Sequence, residues 1–199
     1  MKPNTERNGW RRIARATATL VLFASFAPAV AAHAQQYKYE IRLDGGAWLP
    51  TGRIADDLKY AGTVGAAAVW NYAHEWSAVA SAMWTPSEDK SPSGGMQVNV
   101  YQYDVGFEWA TKTSEIARWD VKPYLGAGIG DRTYSPKRET EPDQNVVDGY
   151  LAAGFSFVSE HESWRFGIRD YVSEWKGLLR TQSSTGNDVA IFAGIGLRF

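Results

Sequence analysis

A serine or threonine hydroxyl becomes a nucleophile only beside a base, and bases of that kind are scarce in this chain. It has three histidines, His33, His74 and His161. His161-Glu162-Ser163 places a histidine two residues before a serine, whereas Ser173 has Tyr171 in that place. The absence of cysteine removes thiolate nucleophiles, thiolate metal sites and disulfides together. No cluster of histidines or carboxylates has metal-ligand spacing, and no cofactor is expected. Gly126-Ala127-Gly128-Ile129-Gly130 resembles a phosphate-binding loop only superficially. Its glycines alternate within a strand pattern and read as small inward residues that make room for bulky neighbours such as Tyr124. What remains is charge in a regular pattern. Glu40, Asp44, Asp104, Glu108, Asp120, Asp148 and Asp188 stand against Arg42, Lys122, Arg165, Arg169 and Arg198, seven acids to five bases. That near-balance suits ion pairing better than turnover.

The elements that must carry these charges alternate with period 2. Tyr39, Ile41, Leu43, Gly45 and Ala47 share one face, opposite Glu40, Arg42 and Asp44. A second segment has Val64, Ala66, Ala68, Trp70 and Tyr72 in step; a third has Trp76, Ala78, Ala80, Ala82 and Trp84. In a fourth, Tyr101, Tyr103, Val105, Phe107 and Trp109 oppose Gln102, Asp104, Gly106 and Glu108. A fifth sets Trp119, Val121, Leu125, Ala127 and Ile129 against Asp120, Lys122 and Tyr124, and a sixth sets Leu151, Ala153, Phe155 and Phe157 against Asp148, Tyr150 and Ser156. In the seventh, Trp164, Phe166 and Ile168 oppose Arg165 and Arg169. The eighth has Val189, Ile191, Ala193, Ile195, Leu197 and Phe199 opposite Asp188 and Arg198. Such alternation predicts strands with one face in an apolar phase. The mean hydropathy of −0.36 is no objection, because alternating strands average to near zero.

A soluble β-sandwich would alternate too. Two features favour a membrane barrel. Trp70, Trp76, Trp84, Trp109, Trp119 and Trp164 fall near segment ends, where amphipathic rings would form interfacial girdles, and ionic residues occupy the opposite face in most segments. Connections also alternate between short (residues 73–75 and 159–162) and long (49–62, 86–96, 132–146 and 177–186), as periplasmic turns and external loops would. Residues 110–118 break that rule, and their TKTSEIAR stretch is expected to form a helical turn beneath the barrel. Residues 85–97 and 135–145, rich in Pro, Ser, Gly and charge, are expected to be solvated, mobile loops.

Residues 1–34 read as a cleaved signal peptide. Lys2, Arg7, Arg11, Arg12 and Arg15 precede an apolar stretch over 16–32, and Ala32-His33-Ala34 supplies the small-x-small cleavage pattern. The barrel is then expected over residues 35–199. Net charge is −1 for the whole chain and −5 once the +4 of residues 1–34 is removed, which argues against nucleic acid as a partner.

Residues 190–199 (AIFAGIGLRF) resemble the C-terminal signature of outer-membrane β-barrel proteins. With the period-2 pattern over residues 37–199, the chain resembles the small eight-stranded, OmpA-like transmembrane family. The resemblance implies an all-β fold, an eight-stranded antiparallel transmembrane β-barrel in the outer membrane. It also implies recognition by the barrel-assembly machinery through Phe199, supported by Leu197, Ile195 and Ile191, and contact with outer-membrane lipid including lipopolysaccharide. An interior of that size is filled by side chains, and charges within it must be paired. The charged set therefore reads as an ionic plug that leaves no open pore, and the role as structural or surface-interacting. The alternative is a lipid A-modifying acyl enzyme, since some barrels of this size are deacylases with a His-x-Ser pair. Here His161-Glu162-Ser163 lacks the asparagine that follows in that pattern and falls at the end away from lipopolysaccharide, and Ser173 lacks its base. No motif names a ligand for the external loops.

Overall fold

The computed structural model describes residues 38–90, 95–137, 143–175 and 184–199. Residues 1–34, read as a signal peptide, lie outside them.

The chain forms strands β1 (Tyr39–Thr51), β2 (Ala61–Asn71), β3 (Trp76–Glu88), β4 (Gln97–Ala110), β5 (Ser114–Ile116), β6 (Trp119–Pro136), β7 (Gln144–Val158), β8 (Glu162–Trp175) and β9 (Ser184–Arg198), with one four-residue helix, α1 (Ile54–Asp57). Every strand pairing is antiparallel. β4 pairs with β6 and β9 pairs back onto β1, so eight strands close a barrel while β5 stands outside the ring. Opposed residues lead round the wall from Leu49 through Val189, Asp170, Leu151, Ala127, Phe107, Ala78 and Trp70 to Tyr39. The circuit returns ten residues down β1, from position 49 to position 39. That stagger sets a strand tilt of roughly 40°.

The wall is inside out. Arg42 is 1% exposed while its neighbour Leu43 is 64% exposed. Trp76, Trp84 and Phe107, which a sandwich would bury, are 47%, 43% and 59% exposed. A soluble sandwich is excluded by that inversion.

The stretch 110–118 is not a helical turn. Residues 111–116 continue pairing along β6 (Thr111 N–H to Pro123 O, Thr113 N–H to Val121 O, then β5), and the hairpin closes through Ala117 and Arg118. Ala117 has φ of 55°, the left-handed geometry that tight hairpin turns require. The polar runs 85–97 and 135–145 are also less loop-like than expected. Thr85 to Glu88, Gln97, Ser135, Pro136, Gln144 and Asn145 are all in strands, and Thr85, Ser87 and Pro136 are buried.

Glycines give the interior room, though not in the expected arrangement. A Cβ on Gly128 would strike the Tyr150 ring, and one on Gly154 or Gly167 would strike the Tyr124 hydroxyl. Tyr124 is therefore housed by β7 and β8, not by the glycines of its own strand. Gly128→Val should lower the unfolding free energy by about 2 kcal/mol or more in urea titrations of the detergent-folded barrel, because overpacking forces side chains off rotamer. Gly149→Ala, whose added Cβ would meet nothing closer than 3.8 Å, should be neutral in the same assay.

Candidate functional site

The candidate site is the polar interior. Strand alternation delivers six buried carboxylates (Glu40, Asp44, Asp104, Glu108, Asp148, Asp188) and four buried guanidinium groups (Arg42, Arg132, Arg165, Arg169) to the lumen among the described residues. Arg165 of β8 donates two hydrogen bonds to Glu108 of β4, at 2.8 and 2.5 Å, and lies 3.4 Å over the Tyr124 ring. Arg169 donates to Asp104 at 2.7 Å and to the Ser81 hydroxyl at 3.2 Å, with its guanidinium 4.5 Å from the Tyr150 ring. Tyr171 donates its hydroxyl to the same Asp104 oxygen at 3.0 Å. Arg42 bonds Asp44 at 2.8 Å and lies 3.7 Å from Glu40. Arg132 pairs with Asp188, and with Asp148 at 3.3 Å, and donates to Gln102. The Gln102 amide in turn links Asp104 and Asp148, at 2.5 and 3.1 Å. Each arginine thus meets carboxylate and aromatic face together or two carboxylates at once, the combination that offsets desolvation.

Three residues expected in this set stand apart. Asp120 is half-buried and pairs with Lys112 at 2.7 Å near the turn end. Lys122 is half-buried on the same stretch of β6. Arg198 lies 4.0 Å from Glu40 and donates to the Ser159 carbonyl at 2.9 Å. Position explains all three, because the start of β6 and the end of β9 both lie at the short-turn end of the barrel, where water competes. Conversely, Arg132, Tyr134 and Tyr171 belong to the cluster without having been expected in it, and Gln102 and Tyr150, expected as inward residues, join it. Arg132 was assigned to a loop, yet it continues the inward series Tyr124, Gly126, Gly128, Gly130.

The six tryptophans all face outward. Trp70, Trp76, Trp109, Trp119 and Trp164 lie toward the short-turn end, and Trp84 toward the other. Trp109 donates its indole N–H to Glu75 at 3.0 Å, and Trp84 donates to Asn99 at 3.2 Å. Phe199 pairs with Tyr39 through two backbone hydrogen bonds, and Ile191, Ile195 and Leu197 are exposed on the outer face of β9. Ser163 is buried and donates to Glu40 at 2.7 Å, while His161 is an exposed turn residue.

The long-connection end carries a different chemistry. Uncharged residues line the inside there: Trp48, Val98, Val100, Tyr134 and Val146 form one buried cluster with Ile54 of α1 and Leu58, beside the buried hydroxyls of Thr63, Thr85 and Ser87. Neither Ile54 nor Leu58 was expected to be buried. Their i, i+4 spacing in a polar stretch is the signal that could have found them.

Two outcomes follow. Arg169→Ala should cost on the order of 3 kcal/mol by leaving Asp104 buried without its cation, and Arg169→Met with Asp104→Leu should recover most of it in the same urea titration. In the turn at residues 72–75, the Thr111 hydroxyl and then the Trp109 indole hold the Glu75 carboxyl below its ordinary value of 4.5. This clasp is at full strength above that ordinary value and is lost as pH falls through the lowered one. The Trp109 indole N–H resonance should therefore shift with a midpoint below 4.5.

No family model matches the chain, and no curated protein does. Solved structures match in fold. Neisserial surface protein A has a TM-score of 0.65 at 14% identity, over 81% of this chain and 97% of that one. The outer membrane protein OprG from Pseudomonas aeruginosa has a TM-score of 0.48 at 14% identity, over 82% and 97%. The chain therefore has the fold of the small eight-stranded outer-membrane β-barrels.

Proposed function

We propose that the protein is an integral outer-membrane barrel with a lumen closed by its ion pairs, serving a structural or surface-interaction role. The observation that carries this reading is the inside-out wall, with buried arginine–carboxylate pairs and exposed Ile, Leu and Phe on the same strands. Only a hydrocarbon solvent makes both faces favourable. The partners are outer-membrane lipid, including lipopolysaccharide, and the barrel-assembly machinery, for which the strand ending in Phe199 with Leu197, Ile195 and Ile191 is the recognition element. Residues 1–34 direct export and are then removed. Trp70, Trp76, Trp109, Trp119 and Trp164 lie at one headgroup level and Trp84 at the other.

Closure is supported by where the pairs run. β8 reaches β4 through Arg165–Glu108 and Arg169–Asp104, and β6 reaches β9 through Arg132–Asp188, so the bonds cross the lumen between strands that are not neighbours. An eight-stranded barrel has little interior left once such groups are in place.

Isolated outer membranes should contain the protein in a form whose gel mobility changes on boiling, and purified barrels in planar lipid bilayers should give no stepwise conductance. Recovery in the soluble fraction would overturn the location, and sustained conductance steps from the wild-type barrel would overturn the closed lumen.

A further inference from the structure

The connection at residues 52–60 does not project away from the barrel as a solvated loop. Gly52, at a φ of 53°, turns the chain as it leaves β1, and α1 then places Ile54 with Leu58 over the mouth, both at 0% exposure. They pack on Trp48, Val100, Tyr134 and Val146. Directly below, the Trp48 indole donates to Asp188 at 2.9 Å, and Asp188 pairs with Arg132. An apolar layer therefore rests on the outermost ion-pair cluster.

The attachment of this segment is one-sided. Its main-chain bonds run to the end of β3 and the residues after it: Lys59 N–H to Glu88 O, Lys90 N–H to Asp57 O, and the Ser87 hydroxyl to Lys59 O. The Lys90 ammonium donates to the Ala55 carbonyl at 2.5 Å. The helix has four residues and no side-chain cap, far too few to hold its shape alone. Its conformation depends on those bonds along one side and on the two aliphatic side chains it inserts, while Tyr60 is 80% exposed.

We propose that residues 52–60 are a displaceable lid, an apolar seal on the outer mouth that is separate from the ionic filling and lies in series with it. The two seals are of opposite chemistry. Lifting the lid wets the cluster around Arg132 and Asp188 without opening a path, because Arg169–Asp104 and Arg165–Glu108 still close the lumen beneath. The proposal rests on the outer-membrane reading for which way the mouth faces, and its test reads the lid independently of the ion pairs.

The absence of cysteine makes the test clean. Val100→Cys places one thiol just under the lid. In folded barrels, a charged, membrane-impermeant methanethiosulfonate reagent should modify it slowly. Adding Ile54→Asp and Leu58→Asp should speed modification on the order of a hundredfold, since unpaired carboxylates are not retained in an apolar layer. That variant should stay silent in planar bilayers, because Arg169–Asp104 and Arg165–Glu108 still fill the lumen beneath it. Should the aspartates prevent folding, a Gly-Ser segment replacing residues 53–58 gives the same comparison. Equal modification rates with and without the lid would overturn the proposal, as would conductance from the lid variant alone. Conductance from the wild-type barrel would instead strike at the closed lumen and leave the rate comparison to decide the lid.

Discussion

Among the described residues, six carboxylates and four guanidinium groups sit inside this barrel out of reach of bulk water, and the wall must bring each within bonding distance of a partner. An unpaired ion there costs several kcal/mol, so the pairs constrain the wall as much as the wall positions the pairs. Arg165–Glu108, Arg169–Asp104 and Arg132–Asp188 each join strands that lie three places apart around the ring. Sliding one strand by a single residue would send its lumen set into hydrocarbon and its apolar set into the lumen. Register is thereby specified on both faces of every strand at once, more tightly than in a sheet with one indifferent face.

Volume is the second constraint and follows from the first. Arg132, Arg165 and Arg169 lie against aromatic faces as well as carboxylates, and Tyr171, Tyr124 and Tyr150 supply them. Three tyrosines and four arginines would overfill an eight-stranded lumen if every inward position carried a side chain. Gly106 and Gly128 open the wall around Tyr150, Gly154 and Gly167 open it around Tyr124, and Gly194 leaves space for Arg42 and Asp44. Interior glycines weaken an isolated strand, and here they are tolerated because each allows a charge-bearing neighbour to be solvated by protein.

The eight closing strands and the facing of nearly all their residues can be read from period 2 alone, since hydrocarbon and lumen impose opposite demands at every step. Strand ends cannot be read so well. Tyr101 and Tyr103 continue the outward apolar series of β4, but Val100 and Val98 carry apolar side chains inward, with Asn99 and Gln97 outward. A reader counting apolar residues on one face stops at Tyr101, although the ladder continues to Gln97. The same inversion hid Tyr134 and Pro136 on β6 and Val146 on β7, and it placed Arg132 in a supposed loop. The hairpin at 110–118 was hidden differently, by a sequence with no alternation strong enough to exclude a helical turn. Its pairing with β6 decides it. Asp120, Lys122 and Arg198 have the right parity and the wrong height, and parity says nothing about distance from water.

The inversion on β4 also marks where the barrel changes solvent. Below it lie all the buried charges among the described residues, and the exposed residues include Ile, Leu and Phe. Above it, buried residues include Trp48, Val98, Val100 and Val146 with the uncharged Thr85 and Ser87, and outward neighbours include Asn99, Asn145 and Asn187, as in an ordinary soluble barrel. Strand geometry continues unchanged through the boundary, so the change is chemical and not conformational. An apolar core above the membrane needs a cover against water, which an apolar face within hydrocarbon does not. That difference explains why Ile54 and Leu58 occur in the connection after β1, whereas the turns at the opposite end, where charged residues such as Asp120 and Lys112 pair at the surface, need no such cap.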